Sequence, residues 1–245
     1  MDAEILAGPH AVAAALDSHP ERIETLWVAR DRRDARITAL LERARAAGVR
    51  WRAVPRERLD ALSGGLRHQG VVARCQPLPL RDERRLQDDL AAAAGTPLWL
   101  VLDGVQDPRN LGACLRSAAA AGAHGVVVPR DRSSPLTGAA LRAAAGGAEA
   151  VPLYQVKNLV RALQGLKARG LWLAGLAAEG EDSLYQADLT GPLALVVGAE
   201  GRGLRRLTRE TCDFLLRIPQ APAVPHLNLS VAAAIALFEA RRQRG

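Results

Sequence analysis

Short apolar runs alternate with helical segments along most of this chain, and this alternation restricts the fold more than any other feature. From residue 98 onwards, strands are predicted at 98–102, 125–128, 151–156, 171–176, 193–197 and 214–218. Helices are predicted between or after them at 111–121, 135–145, 159–168, 204–210 and 231–242. Strands that alternate with helices predict an α/β fold with a mainly parallel sheet, covered by helices on both faces.

Residues 1–75 form a second, smaller unit in this interpretation, with strands and helices of the size found in a compact α/β sandwich. Residues 76–95 are predicted as a linker that becomes a helix, and 96–245 as the larger domain. The smaller unit is rich in arginine, which indicates either a solvated face or a surface for phosphates. These arginines are Arg30, Arg32, Arg33, Arg36, Arg43, Arg45, Arg50 and Arg52.

The charge balance favours a polyanionic partner. The chain has 245 residues, a formal net charge of +7 and a pI of about 10.3, and nucleic acid is the commonest partner of such a protein. No apolar run has the length of a membrane span, and no secretory signal is visible. The 3 cysteines are far apart, which argues against a disulfide framework or a metal site and predicts a cytoplasmic protein.

Two loops near the C-terminus follow predicted strands and are rich in glycine or proline. Gly198, Gly201 and Gly203 follow the strand 193–197, and Pro219 and two further prolines follow the strand 214–218. Ligands of α/β proteins bind at the carboxyl ends of strands, so these loops predict a pocket built mainly of main chain. The glycines do not fit the dinucleotide fingerprint, and no Walker lysine follows, which disfavours a Rossmann enzyme. On glycine and proline content alone, two ordinary β–α turns explain the stretch equally well.

A third loop, 103–112, ends the first strand of the larger domain and opens a helix. Asn110 is predicted to cap that helix, whose N-terminus would attract anions. Arg116 follows about one and a half turns later and can point back towards the loop. Taken singly, a helix cap and an ordinary ion pair explain these two residues.

Three segments together resemble the motifs of the SpoU/TrmH family of RNA ribose methyltransferases, which belongs to the SPOUT superfamily. They are Asp107-Pro-Arg-Asn-Leu-Gly-Ala-Cys-Leu-Arg-Ser-Ala118, Val197-Gly-Ala-Glu-Gly-Arg-Gly-Leu204, and 218–232 with its Leu227-Asn-Leu-Ser-Val-Ala232. Their order and spacing match as well. Segments 5–16, 68–73 and 207–210 further resemble the family's bacterial 23S rRNA guanosine-2′-O-methyltransferases.

The resemblance implies a fold, a cofactor and partners. The larger domain would be a SPOUT domain whose last segment threads into a trefoil knot, and the smaller one an RNA-binding domain like ribosomal protein L30e. S-adenosylmethionine would lie in a bent form near Gly198, Gly201, Ile218 and Leu227. The substrate would be 23S rRNA, and the active protein a homodimer with its site close to the subunit contact.

The resemblance also implies catalytic roles for Asn110, Arg116, Glu200, His226 and Asn228. The family assigns the central role to the arginine, which engages the ribose 2′-OH and a neighbouring phosphate. Since a guanidinium is a poor base, we interpret Arg116 as an orienting and stabilising group, with proton removal assisted by the RNA phosphate. The two asparagines would position Arg116 and the ribose, and Glu200 would hold its loop or pair with an arginine.

One position departs from the family pattern. His226 stands where the family usually has serine, Pro225 precedes it, and Pro222 replaces a common glycine. The histidine either substitutes as a proton acceptor, or fills the pocket and leaves an RNA-binding protein with a decayed methyltransferase site. The presence of the other four catalytic residues favours retained activity. A tRNA ribose methyltransferase is the other alternative, disfavoured by the N-terminal domain, which tRNA enzymes of the family often lack.

Overall fold

A computed structural model describes residues 4–32, 34–221 and 226–245, and the chain divides into two compact units, 1–79 and 80–245. The first unit contains a four-stranded sheet of order β1-β4-β2-β3, in which β3 runs parallel to β2 and the other pairs are antiparallel. Its strands are β1 Glu4–Ala7, β2 Ile23–Ala29, β3 Trp51–Val54 and β4 Val71–Cys75. Its helices are α1 Pro9–Ser18, α2 Ala35–Ala46 and α3 Arg56–Ser63.

Apolar residues of α1, α2 and the sheet form the core of this unit. The unit also contains a buried ion pair, in which the Arg22 guanidinium lies 2.8 Å from the Glu4 carboxylate. The same guanidinium donates to the Gln76 carbonyl at 3.0 Å. Helix α3 was not predicted, because it is short and Leu59 is its main buried apolar side chain. Arg33 lies outside the described residues.

The second unit contains a seven-stranded sheet of order β7-β6-β5-β10-β8-β11-β9, and every pairing in it is parallel. Its strands are β5 Leu98–Asp103, β6 Gly125–Pro129, β7 Leu153–Val156, β8 Trp172–Leu176, β9 Asp182–Ser183, β10 Leu193–Gly198 and β11 Phe214–Arg217. Its helices are α4 Glu83–Ala92, α5 Pro108–Ala121, α6 Gly138–Ala144, α7 Gly147–Ala150, α8 Leu159–Ala168, α9 Arg206–Thr211 and α10 Leu229–Arg244. The α/β class and the parallel sheet are therefore confirmed.

Both faces of this sheet are buried. Trp99 and Val101 of β5 belong to a core cluster with leucines of α4 and α8, whereas Leu100 and Leu102, which point to the opposite face, are also fully buried. Leu86 of α4 lies in the same cluster. Helix α4, within the segment 76–95 expected to be a linker, therefore packs as part of the second unit, and the boundary between the units falls between residues 79 and 80.

The register of four neighbouring strands brings their carboxyl ends to one level. Gly198 of β10 pairs with Asp103 of β5, Val101 of β5 with Val127 of β6, and Pro129 of β6 with Val156 of β7. The loops that follow these strands therefore leave the sheet side by side. We call this side of the sheet the carboxyl edge.

Helix α4 is held to the sheet by a polar network around Tyr154. The Tyr154 hydroxyl donates to the Asp89 carboxylate at 2.7 Å, and the Arg81 guanidinium donates to the same oxygen at 2.7 Å. Burial and the bond to Asp89 raise the pKa of Tyr154 to about 12. The phenol therefore stays protonated in the folded protein at pH values that ionise it in the unfolded chain, near 10.

Replacement of Tyr154 by phenylalanine should lower the free energy of unfolding by about 1.5 kcal/mol at pH 7, the low end for a hydrogen bond to a charged group. Because the pKa of Tyr154 is raised on folding, its contribution is complete below pH 10 and is lost as the pH rises towards 12. Above pH 10, the free energy of unfolding should therefore fall less in the variant, which has no phenol to ionise, than in the natural protein. Urea unfolding followed by circular dichroism at pH 7 and 10.5 measures both effects; equal stabilities at pH 7 would contradict the assignment.

Candidate active site

A cleft of about 330 Å³ opens at the carboxyl edge beside β8, β10 and β11. Its walls are the loops 176–179 and 197–204, residues of β11 and the loop after it, and the first turn of α10. Its volume lies within the range of small-molecule sites. The cleft therefore lies where the sequence predicted a pocket between two loops. In the structure a third loop, 176–179, also contributes to its wall.

The glycine-rich wall is a closed main-chain loop. The amide of Gly203 donates to the carbonyl of Ala199 at 2.9 Å, and the amide of Ala199 donates to the carbonyl of Gly203 at 3.1 Å. A Cβ on Gly198 would lie 2.1 Å from the carbonyl carbon of Gly203, so only glycine fits there. Gly201 has a φ of 71°, and the loop exposes main chain to the cleft.

The far end of this loop is anchored by a buried carboxylate. Asp103, the last residue of β5, accepts hydrogen bonds from the amide of Arg205 at 2.8 Å and from its Nε at 2.6 Å. The Asp103 side chain is fully buried, whereas the Arg205 side chain is partly exposed. This pair was missed by sequence reasoning because nothing in either residue's neighbourhood indicates a partner 102 positions away.

Three polar side chains from distant parts of the chain meet at the rim of the cleft. The Glu200 carboxylate accepts from Nδ2 of Asn110 at 2.9 Å and from Nδ2 of Asn228 at 2.5 Å. Asn228 also donates to Oδ1 of Asn110 at 3.2 Å. This cluster joins the start of α5, the glycine loop and the start of α10.

The position of each asparagine follows from its helix. Oδ1 of Asn228 caps α10 by accepting from the amides of Ser230 and Val231, at 2.9 and 3.3 Å, so its Nδ2 must face Glu200. The prediction that Asn110 caps α5 was wrong. Asp107 is the cap and accepts from the amide of Arg109 at 2.7 Å, which leaves the Asn110 side chain free to reach Glu200.

The residues expected at the cofactor line the cleft together. Gly198, Gly201, Ile218 and Leu227 are all part of its wall, and so are Glu200 and His226, the latter with an exposed side chain. Pro222 and Pro225 lie outside the described residues, so their effect on the loop stays a prediction.

Arg116 is not hydrogen-bonded to this cluster in the described part of the chain. Its side chain is exposed on α5 and makes no hydrogen bond or ion pair within the described part of the chain; the two asparagines contact Glu200 rather than Arg116. Its main chain is held by α7, because a Cβ on Gly147 would lie 2.6 Å from the Arg116 Cα. The guanidinium is therefore free for a ligand.

One loop of the cleft was not predicted as part of the site. Residues 177–179 follow β8 and carry no motif, although their place after a strand was a usable signal. Glu179 forms an ion pair with Arg209 across the cleft wall. A main-chain N–H and the Arg209 guanidinium hold the pKa of Glu179 below its ordinary value.

One buried thiol, that of Cys114, lies beside the cluster. Burial, together with the charge of Glu200, raises the pKa of Cys114 to about 12, so this thiol beside the cluster is neutral at pH 7. Within 4–32, 34–221 and 226–245, no group of three or more His, Cys, Asp or Glu side chains is arranged to hold a metal ion. Across those same residues, every helix is too short or too polar to cross a membrane.

Comparison with known proteins gives two family matches that together span most of the chain. Residues 97–238 match the SpoU rRNA Methylase family, and residues 5–81 match the family described as RNA 2′-O ribose methyltransferase substrate binding.

Individual relatives agree with these matches. The chain is 49% identical over 244 residues to the 23S rRNA (guanosine-2′-O-)-methyltransferase RlmB of Vibrio vulnificus, covering 100% of this chain and 98% of the relative. It is 51% identical over 241 residues to the protein of the same name from Ralstonia nicotianae, covering 98% and 96%. The crystal structure of an AdoMet-bound rRNA methyltransferase from Sinorhizobium meliloti superposes with a TM-score of 0.76 at 26% identity, covering 98% of this chain and 87% of the other.

Proposed function

Because the chain belongs to the SpoU rRNA methylase family, we propose that it transfers a methyl group from S-adenosylmethionine to the ribose 2′-OH of a guanosine in 23S rRNA. The observation that carries this proposal is the main-chain cleft with the Asn110–Glu200–Asn228 cluster at its rim. Such a site offers a binding pocket and positioning groups, as suits direct transfer between two bound ligands.

The two units divide the work in this proposal. Residues 80–245 catalyse the transfer, and residues 1–79, most of which match a substrate-binding family, bind RNA with a domain like ribosomal protein L30e. In the first unit, Arg45, Arg50 and Arg52 line a surface cleft with Trp51 and have no acidic partner within the described residues, which favours phosphate binding.

The finer features of the fold and assembly are proposed on family membership. The last segment of the second unit threads into a trefoil knot, in agreement with a strand order that places β10 between β5 and β8. The active protein is a homodimer, and its rRNA substrate places it in the cytoplasm.

The residues of the cleft fit S-adenosylmethionine. The absence of side chains on Gly198 and Gly201 lets a ligand approach the main chain, and Ile218 and Leu227 provide apolar walls. When bound, the cofactor supplies an activated methyl group on a positively charged sulfur. The site therefore needs to align the acceptor and to assist the loss of one proton.

Arg116 carries the main role towards the RNA. Its guanidinium, which has no partner among the described residues, holds the reactive 2′-OH and the neighbouring phosphate and stabilises the charge that develops on the oxygen. Since arginine stays protonated, the phosphate of the RNA assists in taking up the proton. The amides of Asn110 and Asn228, held by Glu200, fix the rim of the cleft against which the ribose is placed.

His226 contributes an exposed imidazole to the same cleft, where the family usually has a serine hydroxyl. In this proposal it serves as a nearby acceptor for the proton, in addition to the RNA phosphate. An RNA-binding protein with a decayed site is disfavoured, because the cleft is open and the Asn110–Glu200–Asn228 cluster is intact. A tRNA substrate is disfavoured by the match of residues 5–81 and by the 23S rRNA relatives at about half identity over the full chain.

Transfer of a tritiated methyl group to unmodified 23S rRNA tests the function. The natural protein should label one guanosine at its ribose 2′-O, and His226→Ser should retain this activity because serine is the usual family residue. Transfer restored only in His226→Ser would indicate a decayed site on an intact scaffold. No transfer by either protein would overturn the choice of substrate, and the same assay on tRNA would then test the alternative.

A further inference from the structure

A second cleft lies on the larger unit, away from the cofactor cleft, and we call it the basic cleft. It has a volume of about 460 Å³ and is lined by Arg84 of α4, Arg130 after β6, Lys157 after β7 and Arg161 of α8. Arg81, Asp82 and Glu83 also line it, so cations outnumber acids. The charged run at 81–85, which the methyl-transfer site does not use, forms one of its walls.

The cations of the basic cleft are available to a ligand. Arg84 and Lys157 are exposed and have no hydrogen bond or ion pair within the described residues. Among the residues that the structure describes, Arg130 pairs only with the exposed Asp131 next to it, and Arg161 lies 3.4 Å from Glu83. Ion pairs at the surface contribute little free energy, so a phosphate can compete with the carboxylate for either arginine.

The basic cleft shares the carboxyl edge with the proposed active site. Arg130 and Lys157 directly follow Pro129 and Val156, which stand level with Asp103 and Gly198 across the sheet. From β10 to β7 there are three strand spacings, or about 14 Å. This length is about the rise of four stacked nucleotides of one strand.

A structured segment connects the two sites. The amide of Ser134 donates to the carbonyl of Val105 at 2.6 Å, which ties the segment 130–134 to the loop that leads to Asn110. Arg132, an exposed arginine of this segment, follows β6, which lies between β10 and β7 in the sheet, and it has no ion pair within the described residues. Positive side chains therefore continue along the edge from the reaction site to the basic cleft.

We propose that the basic cleft binds backbone phosphates of the RNA strand that carries the methylated guanosine, a few nucleotides from that residue. The inference rests on the proposed function and adds a second contact on the catalytic unit. Among the described residues of the wall, Leu80 is the one apolar side chain, and the aromatic anchors typical of a protein interface are not found among them. Arginine and lysine side chains around an open cleft suit phosphates, which arginine binds through two hydrogen bonds.

The double variant Arg84→Gln/Lys157→Gln tests this proposal with an rRNA fragment that contains the target guanosine. KM should rise about tenfold with kcat within about twofold, because flanking phosphates are held equally in the ground and transition states. The slope of log K against log salt concentration should fall in magnitude by about 1.4, or 0.7 for each lost single-strand contact. With a fragment trimmed on the side that reaches the basic cleft, natural protein and variant should have the same KM.

The matched control is Arg169→Gln/Arg241→Gln, which removes the same charge. Both arginines are exposed and lie at the end of the sheet opposite the carboxyl edge. Arg169 follows α8, and Arg241 lies in the last turns of α10, where its guanidinium approaches Gly122 at the end of α5. If the control and the test variant change KM and the salt slope equally, the basic cleft is not an RNA site and only net charge matters. If the natural protein transfers the methyl group normally in that experiment, the proposed function stands whatever the result for the cleft. If it transfers none, the proposed function is contradicted, and the salt dependence of RNA binding alone tests the basic cleft.

Discussion

Replacement of Arg116 by alanine should lower kcat for methyl transfer by about 10²–10³, the usual cost of removing one group that stabilises developing charge. S-adenosylmethionine binding should be unchanged, because Arg116 is not part of the cleft wall. Stability should change little as well, since the exposed guanidinium has no hydrogen bond or ion pair within the residues described. The effect is thus expected in the chemical step alone.

Single-turnover transfer, calorimetric titration with the cofactor and thermal unfolding separate these three quantities. Arg169→Ala is the control, because it removes an exposed arginine from the opposite edge of the sheet. Loss of cofactor binding in Arg116→Ala would show that this arginine supports the fold of the site. An unchanged kcat would remove Arg116 from the mechanism.

Replacement of Gly198 by alanine should weaken S-adenosylmethionine binding by more than about 100-fold, which corresponds to about 2.7 kcal/mol. The added methyl group would lie 2.1 Å from the Gly203 carbonyl carbon and 2.3 Å from the Leu204 amide nitrogen. Both are main-chain atoms, so the loop must open, and the pair of hydrogen bonds between Ala199 and Gly203 would be lost. The wall of the cleft would lose its shape.

Gly201→Ala is the matched control for this prediction. Gly201, unlike Gly198, has a positive φ, but an added Cβ there would meet nothing within 4 Å. Gly201→Ala should therefore cost only about 1–2 kcal/mol, from left-handed backbone strain. Its loss of affinity for S-adenosylmethionine should be smaller than that of Gly198→Ala. Calorimetric titration of both variants, with circular dichroism to monitor folding, makes the comparison; equal affinities in the two would contradict the steric argument.

The regular elements of the larger unit could be predicted because their signals are local. The apolar runs at 98–102 and 193–197 are buried on both faces, and α8 has the predicted bounds 159–168. Short elements lacked such a signal. Helix α7 was missed because Gly-Ala-Glu-Ala has neither length nor periodicity, and α6 begins three residues after the predicted start at 135.

The pocket was predictable and its polar contacts were not. Glycine at 198 and 201 indicated main chain exposed to a ligand, whereas the choice between Asp107 and Asn110 as the cap depends on where the chain enters the helix. The Asp103–Arg205 pair and the Asn110–Asn228 contact join residues 102 and 118 positions apart. Such pairs depend on the strand order, in which β10 lies between β5 and β8, and no local pattern specifies that order.

The Asn110–Glu200–Asn228 cluster has a consequence for the time at which the protein gains its activity. Asn228 is the cap of the last helix, so the cluster is complete only when α10 has docked on α5. During synthesis, the first unit and all the described strands of the larger sheet emerge before this residue does. A chain that ends before Asn228 therefore contains both sheets but lacks the cluster, and it should not transfer the methyl group.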